Sequence, residues 1–132
     1  MTISEVSKEY GLPQDTLRYY ERIGLIPRVN RSASGNRDYI EADLKWVEFV
    51  KCMRGAGLSI EALIEYVSLS QKGEATLDAR KGILTDQRDL LAAKIEVMRS
   101  TLDRLNVKIE RYEQTILAKE RQLPMPAADE EP

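Results

Sequence analysis

The stretch TLRYYERIGLIPR, Thr16 to Arg28, decides how the chain is read. On a helical wheel at ~100° per residue, Leu17, Tyr20 and Gly24 fall on one face. Asp15, Arg18, Tyr19 and Arg22 fall on the opposite one. A helix that only packs has no need to gather guanidinium and phenol groups on its outer side. Gly24 stops this helix and Pro27 prevents its resumption. Upstream, TISE has the capping-box spacing, with Thr2 as cap and Glu5 reaching back. Ile3, Val6 and Tyr10 then follow at helical spacing. Gly11 closes that helix and Pro13 suits the first turn of the next. Residues 2–10 and 13–23 therefore read as two short helices joined by a tight turn, a helix-turn-helix.

Downstream, RVNRSASGNRDY places Ser34, Gly35 and Asn36 as turn formers between two short extended arms, a small hairpin or wing. A third helix runs from about Glu41 to Gly55 with Trp46, Phe49, Val50 and Met53 as its apolar stripe. Ser59 caps a fourth helix that reaches about Ser70, and QKGEAT is a loop. Beyond it, Leu84, Leu91, Ile95, Met98, Leu102, Leu105, Ile109, Tyr112, Ile116 and Leu123 recur at steps of three and four, interrupted at Arg88 and Lys119. A sustained heptad of this kind is a coiled-coil seam. Leu91, Met98, Leu102, Leu105 and Ile109 have no evident place to be buried except against a second copy, so the chain is expected to be a homodimer. LPMPAADEEP reads as a disordered acidic tail. The expected fold is mainly α, with a helix-turn-helix unit over residues 1–72, a dimerising helix over 76–122 and a tail over 123–132.

The composition excludes several classes. The 132 residues suit one domain, or a small domain with an appendage. No apolar run is long enough to span a bilayer, and the polar, periodic N-terminus is unlike a signal peptide. These features place the protein in the cytoplasm, away from membranes. One cysteine, Cys52, excludes an intrachain disulfide framework, and the absence of histidine removes the usual general base and most zinc or copper site designs. No metal, no cofactor and no catalytic residue is expected, and a thiol enzyme would lack a base beside Cys52.

The net charge of −2 gives no global attraction to nucleic acid. Between residues 18 and 37, however, five arginines (Arg18, Arg22, Arg28, Arg31, Arg37) face one acid, Glu21, a local excess of +4. Tyrosine hydroxyls and guanidinium groups donate to phosphates, and arginine also reads guanine edges. On charge alone, a solvated amphipathic helix accounts for these residues as well as DNA does.

The order and spacing of TLRYYERIGLI, GNRDY and GLSIEAL resemble the MerR family of transcription regulators. The motif resemblance covers Ile3 to about Ser70 and continues as architecture in the long helix. It implies a winged helix-turn-helix domain joined to an antiparallel coiled-coil dimer. It implies double-stranded promoter DNA as partner, bound at a pseudo-palindromic operator in an over-long spacer. The DNA would be bent and untwisted there, so that RNA polymerase can use the promoter. By motif position, Thr16, Arg18 and Tyr19 would contact DNA from the recognition helix, whose outer face also carries Arg22 as a DNA-binding candidate. Tyr20 would pack or hold a phosphate. Arg31, Arg37 and Tyr39 would belong to the wing, where Asn36 replaces a tyrosine common among relatives. The helix start at Ser59 would take a phosphate on its free amides.

The sensor is read by elimination. GEATLDARKGIL and QLPMPAADEEP carry no cysteine or histidine, so soft-metal sensing is not expected. Cys52 lies at the flank of the third helix's apolar stripe, with Lys51 and Arg54 as sequence neighbours. Chemistry alone leaves two readings, a small buried hydrophobe or a reactive thiol. DLKWVEFVKCMRGAGLSIE is similar to the family's single-cysteine subgroup that responds to aldehydes and nitrosative or electrophile stress, which implies a thiol sensor. Two rivals remain: a MerR-type regulator with a non-covalent ligand, and a coiled-coil interaction protein without DNA binding.

Overall fold

The computed structural model describes residues 1–116, 118 and 121. Lys119, Leu123 and the acidic tail expected over 123–132 lie outside them. The chain divides after Leu91 into two units.

The first unit opens with α1 (Ile3–Tyr10) and α2 (Gln14–Ile23). The capping box is formed: Glu5 N–H donates to Thr2 Oγ1 at 3.2 Å and Thr2 N–H to Glu5 Oε1 at 2.8 Å. Gly11 and Gly24 end the two helices in the left-handed region, at φ 65° and 85°, where a side chain would be strained. Two short strands, β1 (Asn30–Arg31) and β2 (Arg37–Asp38), pair antiparallel with Asn30 opposite Asp38 and Arg31 opposite Arg37. This hairpin is the wing that the Ser-Gly-Asn turn predicts.

The helices α3 (Glu41–Gly55) and α4 (Ile60–Ser70) follow with the bounds the sequence suggests. The buried Asp43 carboxylate accepts the Ile40 amide at 2.9 Å and so starts α3. Ser59 caps α4 through the Ala62 amide. A 3₁₀ turn, Glu74–Thr76, leads into α5 (Leu77–Arg111), and a π-helical turn follows at Tyr112–Ile116.

The core of the first unit joins α1, α2, α3 and α4 with the segments between them. Val6, Leu17, Leu25, Ile26, Val29, Tyr39, Val47, Val50 and Leu63 are each at most 2% exposed. Full burial of such a side chain contributes about 1.5–3 kcal/mol. Leu91 of α5 also packs against this core. That corrects one expectation: Leu91 has a place to be buried within its own chain, because the first turns of α5 belong to this unit.

From Ala92 onward, α5 forms the second unit. Ile95, Met98, Leu102, Leu105, Ile109 and Tyr112 lie on it with exposures of 40% to 70%. Among the described residues no helix is long and apolar enough to cross a membrane.

Candidate nucleic-acid interface

The outer face of α2 and the wing enclose one surface hollow. Its walls are Arg18, Glu21, Arg22, Arg28, Arg31 and Arg37. A second hollow beside it is lined by Thr2, Ile3, Ser4, Arg18, Arg31, Gly35, Asn36 and Arg37. The five arginines scattered over twenty residues of sequence thus converge in space. They converge because Leu17 and Tyr20 are buried in the core, which turns Arg18, Tyr19 and Arg22 outward.

The arginines are held loosely, with one exception. Arg18 donates from Nη1 to Asp15 at 2.8 Å and from Nη2 to Gln14 at 3.3 Å, both on the surface. Exposed pairs of this kind contribute about 0–1 kcal/mol, so an incoming phosphate or base edge can replace them. The Arg22 guanidinium lies 5.4 Å from the centre of the Tyr19 ring, a cation–π contact that stiffens both side chains.

Arg37 is the exception. Its Nε donates to Glu21 Oε1 at 2.6 Å, and the two side chains are only 18% and 10% exposed. The other Glu21 oxygen accepts the Val29 amide at 3.1 Å. Burial pushes the Glu21 carboxyl up. The bonds from Arg37 and Val29, with the Arg37 and Arg31 charges, outweigh that and hold it below the usual carboxylate range. In the sequence Glu21 counts only as the single acid among arginines. Its role was missed, although one carboxylate at the centre of a cationic patch was itself a signal.

The remaining positions separate. Thr16 is half-buried and Arg31 is exposed on β1. Tyr20 is 8% exposed, in keeping with a packing residue. Tyr39 follows β2 but is 2% exposed, inside the core rather than on the wing's surface. Among the described residues its hydroxyl has no hydrogen-bond partner. Burial pushes the phenol up from its ordinary value.

Ser59 lines neither hollow. Its amide donates to Gln87 Oε1 at 3.2 Å, and its hydroxyl donates to Glu61 at 3.0 Å. The Glu61 carboxyl is held below the usual range by its own amide and by that hydroxyl. A phosphate arriving at this helix start would have to displace Glu61.

Cys52 is exposed, at a shallow hollow lined by Lys45, Glu48, Phe49 and Met53. The two cations beside it in sequence are engaged elsewhere: Lys51 donates to the Tyr10 carbonyl and Arg54 to the Leu58 carbonyl. Phe49 is also part of an aromatic group, stacked on Tyr66 at 5.5 Å with Trp46 edge-on to both. Among the described residues no cluster of His, Cys, Asp or Glu could hold a metal ion.

Residues 1–69 match the MerR HTH family regulatory protein family, and residues 44–107 match the family described as MerR, DNA binding. The chain belongs to the MerR family of DNA-binding helix-turn-helix regulators.

Its relatives are named as transcriptional regulators and not as enzymes. The HTH-type transcriptional regulator AdhR of Bacillus subtilis is 62% identical over 91 residues, 69% of this chain. The match spans 65% of AdhR, a little under two thirds of its length. HmrR of Rhizobium leguminosarum is 37% identical over 80% of this chain and 83% of its own. Among solved structures, a MerR family regulator from Listeria monocytogenes superposes with a TM-score of 0.85 at 47% identity, covering 92% of both chains. HiNmlR, a MerR family regulator lacking the sensor domain and solved bound to promoter DNA, superposes with a TM-score of 0.77. It is 26% identical and the match covers 86% of this chain and 90% of that one.

Proposed function

We propose that the protein is a homodimeric transcription regulator that lays α2 in the major groove of a pseudo-palindromic operator, with each wing on the flanking backbone. The observation that carries this reading is the hollow of five guanidiniums between α2 and the wing, on a chain whose net charge is negative. Thr16, Arg18, Tyr19 and Arg22 would serve the recognition helix, and Arg31 and Arg37 the wing. The solved complex of HiNmlR with promoter DNA supports the same class of partner.

The exposed seam from Ile95 to Tyr112 supports a second copy as its cover, because a coiled-coil stripe of that length is unfavourable in water. A dimer with two reading heads can bend and untwist the spacer between its half-sites at a cost of about 1–6 kcal/mol. That distortion would let RNA polymerase use the promoter. Cys52 would set the dimer's activity, its thiol forming an adduct with an aldehyde, another electrophile or a nitrosothiol. Its exposure and the likeness to AdhR support this. A second reading, a non-covalent ligand, rests on the aromatic group of Trp46, Phe49 and Tyr66 beside Cys52.

The DNA reading is tested by titrating Arg18→Ala at several salt concentrations. The probes are a duplex selected by the unmutated protein from a random pool and an unselected duplex. If Arg18 reads a base, affinity for the selected duplex falls by about 1–3 kcal/mol and discrimination at one position is lost. If it holds a phosphate, binding weakens on both and the salt slope falls by about one. No change in either quantity removes this face from the DNA interface.

A further inference from the structure

We infer that Glu21 is a positioning residue for DNA binding, which locks the wing to the recognition helix and aims Arg37. The inference rests on the reading that this face meets DNA, but it predicts an effect opposite in sign to simple electrostatics.

The geometry is specific. Glu21 stands on α2 next to Arg22 and one turn beyond Arg18. One carboxylate oxygen takes Arg37 Nε from β2, and the other takes the Val29 amide, at the residue before β1. A single side chain therefore ties β2 and the entry to β1 to the recognition helix. The hairpin is only two residue pairs long, so its own ladder cannot fix its angle.

Arg37 is bound through Nε, which leaves its two terminal amino groups without a protein partner among the described residues. Arg37 lines both hollows. A guanidinium held at Nε presents a planar fork in a fixed direction, the form suited to two-point contact with a phosphate. Released, the same side chain would sample its rotamers, and each contact would carry the cost of ordering it.

The charge argument points the other way. Glu21 is the one acid in the hollow. If it did nothing but stand there, removing it would raise the local positive charge and tighten binding to any duplex, most at low salt. Positioning predicts looser binding instead.

The experiment compares the unmutated protein with Glu21→Ala, Glu21→Gln, Arg37→Ala, Arg18→Ala and the Glu21→Ala/Arg37→Ala double variant. Each is titrated with the selected duplex over a range of salt, with folding checked by far-UV circular dichroism. Glu21→Ala is expected to weaken binding about tenfold, as for one lost charge-assisted contact. Its salt slope should fall by about one, although a negative charge has been removed. Arg37→Ala should match it, and the double variant should lose no more than either single change, since both delete the same contact. Glu21→Gln keeps one carbonyl oxygen as acceptor and should lose less. It stands in for the alanine variant if that chain does not fold.

Binding by Glu21→Ala that is unchanged or tighter, with an equal or steeper salt slope, overturns the inference. So does a double variant whose losses simply add. A loss with Arg18→Ala and none with Glu21→Ala overturns the positioning role alone. No loss with either overturns it together with the DNA reading.

Discussion

Replacing Tyr39 by phenylalanine should make the protein more stable and leave its DNA binding intact. The ring is packed in the core at 2% exposure, and the substitution keeps every ring contact. It removes only the hydroxyl, which is buried without a partner among the described residues. Burying such a group unsatisfied costs about 1–3 kcal/mol, so the expected gain is near the lower end, about 1 kcal/mol, after allowance for local relaxation. For a unit the size of residues 1–91, that corresponds to a rise in Tm of about 4–8 °C. Thermal unfolding followed by circular dichroism measures it, at matched protein concentration because a dimer's Tm depends on concentration. A fall in Tm of similar size would refute the reasoning, since it would mean that the hydroxyl has a partner such as a buried water. DNA titration of the same variant adds a second check. If Tyr39 donated to a phosphate, as its place in the sequence suggests, affinity would fall on every duplex. From its place in the core, it should not change.

Three other outcomes are expected. Leu102→Asp puts a charge on the exposed seam, where a partner helix would bury it at a cost of several kcal/mol. Sedimentation should show monomer or aggregate, and an unmutated protein that sediments as a monomer would remove the coiled-coil assignment. Cys52→Ser should still dimerise and bind DNA, but a promoter reporter should no longer respond to formaldehyde, methylglyoxal or nitrosoglutathione; full induction would turn attention to the aromatic group around Trp46. The Glu21 carboxyl lies below its unfolded value, so its bonds stabilise the fold fully above about pH 4.3 and are lost as pH falls through the folded pKa. Urea unfolding at stepwise lower pH should therefore show a steeper loss of stability in the unmutated protein than in Glu21→Gln, and parallel curves would contradict it.

The fold was legible because its punctuation is local. Thr2, Gly11, Gly24, Ser59 and the Ser-Gly-Asn turn each act on backbone groups within a few residues, and all fall where helices or strands begin or end. The arginine face was legible for a similar reason, since helical phase alone places Arg18 opposite Leu17 and Tyr20. The illegible part depends on contacts far apart in sequence. Glu21 meets Arg37 sixteen residues away. Leu91 fits the heptad by spacing, and only packing across the fold reveals that it serves the core. Lys51 and Arg54 are neighbours of Cys52 on paper, yet helical phase sends their long side chains to carbonyls of Tyr10 and Leu58. Tyr39 has the chemistry of a phosphate ligand, and its burial could be read only from its surroundings in the folded chain.

The boundary after Leu91 has a consequence for grafting this regulator onto others. The natural join falls inside a continuous helix, α5, and not in the QKGEAT loop where the sequence invites a cut. A fragment ending at residue 72 would lose Leu91 from the core and Gln87 from the Ser59 amide. A chimaera should therefore keep residues 1–91 together and exchange only the helix from Ala92 onward. Within that helix, seven residues return a side chain to within about 20° of its phase, whereas one turns it by ~100°, so an exchange that adds or removes whole heptads keeps the seam continuous.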